Sequence, residues 1–227
     1  NFQRLTRKKL EVVANLKFDF PIPKNLQLHA GKLRKELGVT SNFVVVAGST
    51  RTGEEKIILN YFKSLPIDNV VLVIVPRHPQ RFNEVENLIK LSDLPYVRRS
   101  AVRNVNTKVK VILGDTMGDL YIYYGLADLV LLGGSLENFG SQNPIEPLRL
   151  GKPVAIGPSI YNFMDVIEKA EKQELIFRLN NIRGLESLIK NMLKDWKNKA
   201  LQKERHTFVE TQSGGSKKVA ALLNRYL

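Results

Sequence analysis

The stretch 70–75, VVLVIV, limits more than any other what this chain can fold into. A strand with one solvated face alternates apolar and polar side chains. This one does not alternate, so it has to be covered on both faces. LVLL at 129–132 repeats the pattern. Apolar runs at 43–47, 109–113, 154–156 and 175–179 give four more expected strands. Between them lie stretches with helical spacing. These are 24–37 (Leu26, Leu33 and Leu37 inward, Gly38 as the stop), 52–65, 82–91, a helix ending at Gly125, and 162–172. Three more helical segments close the chain, roughly over 183–227. Strand then helix, about six times over, means a parallel sheet with helices on both faces, a Rossmann-like α/β domain. It is expected over 24–227. Ahead of it, 10–15 (LEVVAN) reads as a short strand, and Phe20-Pro21-Ile22-Pro23 excludes regular structure, so 1–23 is expected to be strand and linker.

In a parallel sheet the loops that follow the strands leave at one edge, so residues distant in sequence converge there. Four of these loops are polar: Gly48-Ser49-Thr50, Pro76-Arg77-His78-Pro79, 114–119 (GDTMGD) and 133–146 (GGSLENFGSQNPIE). In the last, Asn143 suits the N-cap, Pro144 the first helical position and Glu146 the third, a capping box with proline. Thr52 with Glu55, and Thr116 with Asp119, have the same spacing. A helix start just past a parallel strand is where α/β proteins hold phosphate and nucleotide. Glu146 therefore has two readings that spacing does not separate. It is a capping carboxylate, or it accepts both hydroxyls of a ribose. Arg77, pinned between prolines at the end of a buried strand, is either a fork for phosphate or the partner of a carboxylate. His78 suits a structural hydrogen bond. Gly133-Gly134-Ser135 and Gly118 let a ligand approach the backbone, and the Met117 thioether suits the face of a flat ring. Neither a P-loop nor a dinucleotide Gly-x-Gly-x-x-Gly occurs.

Charge narrows the partners. The formal net charge is +13. Residues 1–40 carry nine Lys/Arg against three Asp/Glu and residues 178–227 eleven against four, while 41–177 carry fifteen of each. A basic excess confined to the ends suits an anionic partner (nucleic acid, acidic lipid or a phosphorylated substrate) or else solvated lysine-rich helix faces. Zero cysteines exclude disulfides and thiolate metal sites, and three scattered histidines speak against zinc. The lack of cysteine fits a cytoplasmic protein. No apolar run is long enough to span a bilayer, and 1–10 lacks the apolar core of a signal peptide.

VVANLKFD, VVVAGSTRTGEE, LVIVPRHPQRF, ILGDTMGDL, ADLVLLGGS, NPIEP and GKPVAIGP stand in the order they have in the Kdo transferases. The chain resembles that family from residue 12 to about 163, and PRHP, GDTMG and the GGS…NPIE stretch are the specific parts. Those enzymes attach 3-deoxy-D-manno-octulosonic acid (Kdo) to the lipid A precursor. The resemblance implies a GT-B glycosyltransferase, two Rossmann-like domains facing each other across a cleft. The N-terminal domain holds the acceptor site and general base, and the C-terminal one binds the CMP part of CMP-Kdo. This chain looks like that C-terminal domain, with 1–23 as the inter-domain segment. The other half, with its membrane anchor and catalytic glutamate, is not expected within these 227 residues, so the isolated chain is expected to be inactive.

By the same resemblance, Pro76, Arg77, Met117, Gly118, Asp119, Asn143, Pro144, Ile145 and Glu146 would contact CMP-Kdo, with Ser49, Thr50, Gly134 and Ser135 beside them. Lys17 matches a lysine that supports the transition state, as a flexible ammonium near developing negative charge can. Gln142 stands where the family usually has histidine. The implied reaction is an inverting displacement without metal or cofactor, in which Arg77 and the helix N-termini stabilise the departing phosphate. The implied partners are CMP-Kdo, the lipid A precursor, the missing acceptor domain and the anionic cytoplasmic face of the bacterial inner membrane, but no nucleic acid. Two other readings compete. A UDP-sugar transferase or epimerase of the same fold would be separated by titrating CMP against UDP. A non-catalytic basic module for nucleotide or nucleic acid would show salt-dependent oligonucleotide binding, though the chain lacks basic-aromatic interleaving.

Overall fold

The computed structural model describes residues 11, 13, 15–101, 105, 108–194 and 200–224. Its strands are β1 (Phe43–Thr50), β2 (Val70–Pro76), β3 (Tyr96–Arg98), β4 (Val111–Leu113), β5 (Leu129–Leu132), β6 (Val154–Ile156) and β7 (Ile176–Arg178). They pair in parallel throughout, in the order β3-β4-β2-β1-β5-β6-β7. The longest two, β1 and β2, lie at the centre, and every residue of both is buried. That is the two-sided burial the unbroken aliphatic runs require. The helices are α1 (Leu26–Glu36), α2 (Glu54–Ser64), α3 (Phe82–Leu91), α4 (Leu120–Leu126), α5 (Ile145–Arg149), α6 (Met164–Glu171), α7 (Gly184–Lys194), α8 (Ala200–Glu210) and α9 (Gly215–Leu223).

Because strand side chains alternate, consecutive residues of β1 feed two different cores. Val44 and Val46 join Leu26, Leu33, Tyr123, Tyr124, Leu148, Ile167 and Val209, so α1, α4, α5, α6 and α8 cover one face. Phe43, Val45 and Ala47 join Ile58, Leu59, Val85, Ile89, Leu185 and Ile189, so α2, α3 and α7 cover the other. Parallel sheet and two helical layers are the Rossmann-like arrangement.

Several local expectations are corrected. Strand β3 was not expected: at the sheet edge it is only half-buried and three residues long, too short to show a period. Helix α2 starts at Glu54 behind Gly53 (φ 95°), so Thr52 and Glu55 form no capping box. Glu55 is instead buried and accepts hydrogen bonds from Arg81 and from the Thr50 hydroxyl. Helix α4 starts at Leu120, and the Thr116 hydroxyl bonds that of Tyr123 at 2.7 Å rather than capping. At α5, Asn143 Oδ1 does accept the Ile145 N–H (3.0 Å), but Glu146 reaches the Asn143 side-chain amide (3.3 Å) in place of its backbone. Of the strand expected at 10–15, residues 10, 12 and 14 lie outside the described residues, and 11, 13 and 15 are irregular. The basic segment 1–10 lies outside them as well.

The segment before α1 is stitched to the end of the chain. Phe18 is buried, and the Arg149 guanidinium donates to the carbonyls of Phe18 and Phe20. The Asp19 carboxylate caps α9 by accepting the N–H groups of Gly214 and Ser216 and the Ser216 hydroxyl, which hold its pKa down to about 2. No helix among the described residues is long and apolar enough to cross a membrane.

Candidate functional site

The polar loops meet at the C-terminal edge of the sheet. Gly133 N–H donates to the Gly48 carbonyl, Arg77 N–H to that of Thr50, and Gly114 N–H to that of Ile74. These contacts prolong the strand ladder into the loops and fix their order across the edge. Close packing explains two of the glycines. A Cβ on Gly48 would stand 2.4 Å from the Tyr124 ring, and one on Gly133 would stand 2.3 Å from the Ser49 carbonyl oxygen. Here Gly133 serves contact between loops, where the sequence suggested room for a ligand.

A buried carboxylate holds this edge together. Glu54, wholly inaccessible, accepts four backbone N–H groups: Gly134 (2.7 Å) and Arg51 (2.8 Å) on one oxygen, Ser135 and Leu136 (both 2.9 Å) on the other. Burial pushes its pKa up, and the four donors pull it back. Every acceptor direction of the carboxylate is filled by a donor, so the ionised form is the one that fits. Sequence reasoning missed this residue. Ser135 is equally engaged: its N–H goes to Glu54 and its hydroxyl bridges the Leu132 carbonyl and the Gly157 N–H.

Above that base, Arg77 and Glu146 come together although 69 positions separate them. Glu146 is half-buried. Burial raises its pKa, while the Asn143 amide and the positive charge of Arg77 oppose the rise. Arg77 is exposed, and among the described residues it makes no ion pair with a carboxylate. Tyr124, fully buried and bonded to the Ser49 hydroxyl, is within electrostatic range of both, its pKa pushed well up by burial and by Glu146. The pKa of Tyr121 is raised to about 12, by burial first and by Glu146 second. Ser49 and Ser141 hold left-handed backbone, φ 56° and 72°, a cost that non-glycine residues at functional edges tend to carry. The result is a half-buried acid within electrostatic range of a guanidinium that has no carboxylate ion pair among the described residues, with two tyrosines nearby.

The other expected residues fall around this centre. Pro76, Thr50, Pro144 and Ile145 are buried, with the Thr50 hydroxyl engaged by Glu55. Met117 is 69% exposed, and Gly118 (φ 83°) has open space above it, on the loop between β4 and α4 beside that of Arg77. Asp119 is partly exposed there. Gly134 (φ 68°) carries the Gln142 amide nitrogen 3.2 Å from where its Cβ would stand, so Gln142 folds back over its own loop. The Lys17 ammonium stands 4.4 Å from the centre of the Phe163 ring.

A family model described as glycosyl transferases group 1 matches residues 34–211. A bifunctional glycosyltransferase/methyltransferase from Fusobacterium nucleatum is 40% identical over 178 residues, 78% of this chain and 28% of that protein. A 3-deoxy-D-manno-octulosonic acid transferase from Haemophilus influenzae is 34% identical over 190 residues, 81% of this chain and 44% of that protein. The chain thus spans less than half the length of these two relatives. Among solved structures, the C-terminal CMP-Kdo binding domain of WaaA from Acinetobacter baumannii superposes with a TM-score of 0.69 at 26% identity, over 82% of this chain and 97% of that one. HepE from Anabaena, solved with UDP and glucose, superposes at 0.60 with 20% identity, over 94% of this chain and 56% of that one, a likeness of fold.

Proposed function

The chain belongs to the group 1 glycosyl transferases, and from that premise we propose that it is the donor-binding half of a Kdo transferase, with CMP-Kdo as its ligand. The observation that carries the reading is that Glu146 lies within electrostatic range of Arg77 at the loop edge of the sheet, while Arg77 has no ion pair with a carboxylate among the described residues. The likeness to a CMP-Kdo binding domain supports it. In this reading the two oxygens of Glu146 accept the ribose hydroxyls, Arg77 takes the phosphate, and the Met117-Gly118 platform lies under the base.

The reaction that follows is an inverting displacement. A hydroxyl of the lipid A precursor attacks the anomeric carbon, the bond from that carbon to the phosphate oxygen breaks, and CMP departs with the electron pair. The hydroxyl proton goes to a base supplied by an acceptor domain outside this chain. Negative charge grows on the leaving phosphate, where Arg77 meets it. Helix α5, only five residues long, adds little as a dipole, so the guanidinium carries most of the stabilisation and no metal or other cofactor is invoked. Lys17 would assist from the segment stitched to α9. In this reading the enzyme works at the cytoplasmic face of the bacterial inner membrane. Lys169, Lys172 and Lys203 line an open cavity of about 600 Å³ between α6 and α8, a basic surface that suits anionic lipid.

Calorimetric titration of the chain with CMP and with UDP tests the reading. CMP should bind, and UDP at least tenfold more weakly. UDP binding as tightly as CMP would move the chain to the UDP-sugar enzymes. Transfer of Kdo to a lipid acceptor by this chain alone should stay at background.

A further inference from the structure

A second guanidinium stands at the same edge, on the loop after β1, the strand that lies between β2, which leads to Arg77, and β5, which leads to Glu146. Arg51 follows β1 directly, and its backbone N–H is fixed by Glu54. Its guanidinium lies 4.8 Å from the centre of the Phe139 ring, and its Nη1 is 3.1 Å from His78 Nε2. A guanidinium has only donors, so Nε2 is the acceptor and the imidazole carries its proton on Nδ1. Ring face and imidazole therefore orient Arg51 without neutralising it. Among the described residues no carboxylate forms an ion pair with it. Glu137, on the loop after β5, lies against Gly53, its carboxylate carbon 3.7 Å from where a Cβ would stand.

The direction of the site follows from the backbone. His78 is extended (φ −118°, ψ 126°), and successive side chains of an extended segment point to opposite sides. The charge of Arg77 bears on Glu146 and Tyr124, whereas His78 turns to Arg51. A nucleotide with its ribose at Glu146 and its phosphate at Arg77 therefore brings the sugar attached to that phosphate to the side of the neighbouring Arg51, which contacts the residue after Arg77. In CMP-Kdo the anomeric carbon bears a carboxylate as well as the phosphate ester, two anions one carbon apart. One cation cannot meet both in planar, two-pronged geometry. We propose that Arg51, oriented by His78 and Phe139, binds the carboxylate of the donor sugar and makes the site select a nucleotide-linked sugar acid over a neutral one. This rests on the reading of the site as one for CMP-Kdo.

The test compares freshly prepared CMP-Kdo with CMP, by competition binding to the wild-type chain and to Arg51→Gln, which keeps a planar donor and removes the charge. CMP-Kdo affinity should fall about tenfold or more and CMP affinity less than twofold, as expected when one charge-assisted contact is lost. Arg51→Lys should fall between. If Arg51→Gln melts several degrees lower than wild type, His78→Gln, which loosens the guanidinium without touching the β1 loop, carries the same comparison. Equal weakening of both ligands, or of neither, overturns the assignment of Arg51. Failure of the wild-type chain to bind CMP at all would instead overturn the underlying reading of the site.

Discussion

Two groups of charges at opposite edges of the sheet are held in different ways. At the N-terminal edge the groups are matched: Arg34 meets Asp128 at 2.6 Å, Asp128 also accepts the Val44 N–H, and Lys152 donates to the Ala127 carbonyl at 2.8 Å. At the C-terminal edge Arg77 and Arg51 have no carboxylate ion-pair partner among the described residues, near an acid whose burial raises its pKa. The first arrangement fastens a helix and two strands. The second leaves charge available to a ligand and depends on Glu54 beneath it for rigidity. Stability and binding are thus separable by region, and substitutions should sort accordingly.

The largest effect expected is at Glu54, where the ligand edge meets the core. Glu54→Gln turns an NH2 group toward backbone donors and strands at least one buried N–H, for a cost of about 3 kcal/mol. A thermal melt should fall by roughly 10 °C, and CMP binding should weaken with it. A melt unchanged within a degree or two would mean that the four hydrogen bonds do not hold the loop.

Arg77→Ala should do the reverse, leaving the melt alone and removing about 1.5–3 kcal/mol of CMP affinity. Cytidine, which has no phosphate, should bind almost as before. If both ligands weaken alike, the guanidinium holds the loop or the base.

The smallest effect belongs to the opposite edge. Burial lowers the Lys152 pKa to about 8, below its value in the unfolded chain. Between that pH and about 10 the unfolded chain holds the extra proton, so stability should rise with pH across the window. Lys152→Met should flatten this rise in denaturant melts and leave CMP binding unchanged. A rise of the same size in the variant would place its origin elsewhere.

How much of this could be read from the sequence depends on the range of the interaction. The central strands were legible because an unbroken aliphatic run has few other uses, and β3 was not, because Tyr96-Val97-Arg98 at an edge gives no run at all. Local spacing misled twice. Thr52 and Glu55 have the spacing of a cap, yet Gly53 shifts the helix start and Arg81, 26 residues on, claims the carboxylate. The grouping of Arg77 with Glu146 followed from the rule that loops share an edge, which needs only the order of strands and helices. The role of Glu54 needed the loop 80 residues away to be in place, and nothing local distinguishes it from Glu55. Arg51 was passed over for the same reason, since its partners Phe139 and His78 lie on two other loops.

The central claim is that Glu146 grips a ribose as well as supporting the start of a helix, and calorimetry on Glu146→Gln tests it most directly. The amide keeps an oxygen for the Asn143 contact, and removing a charge whose burial is unfavourable offsets what is lost at the cap, so the melt should shift by less than about 1 kcal/mol. Half of the acceptor oxygens and the charge are gone, so CMP affinity should fall about tenfold or more, while 2′,3′-dideoxy-CMP, already weak, should hardly change. A variant that binds CMP as wild type does and melts markedly lower would reduce Glu146 to a helix cap and contradict the account.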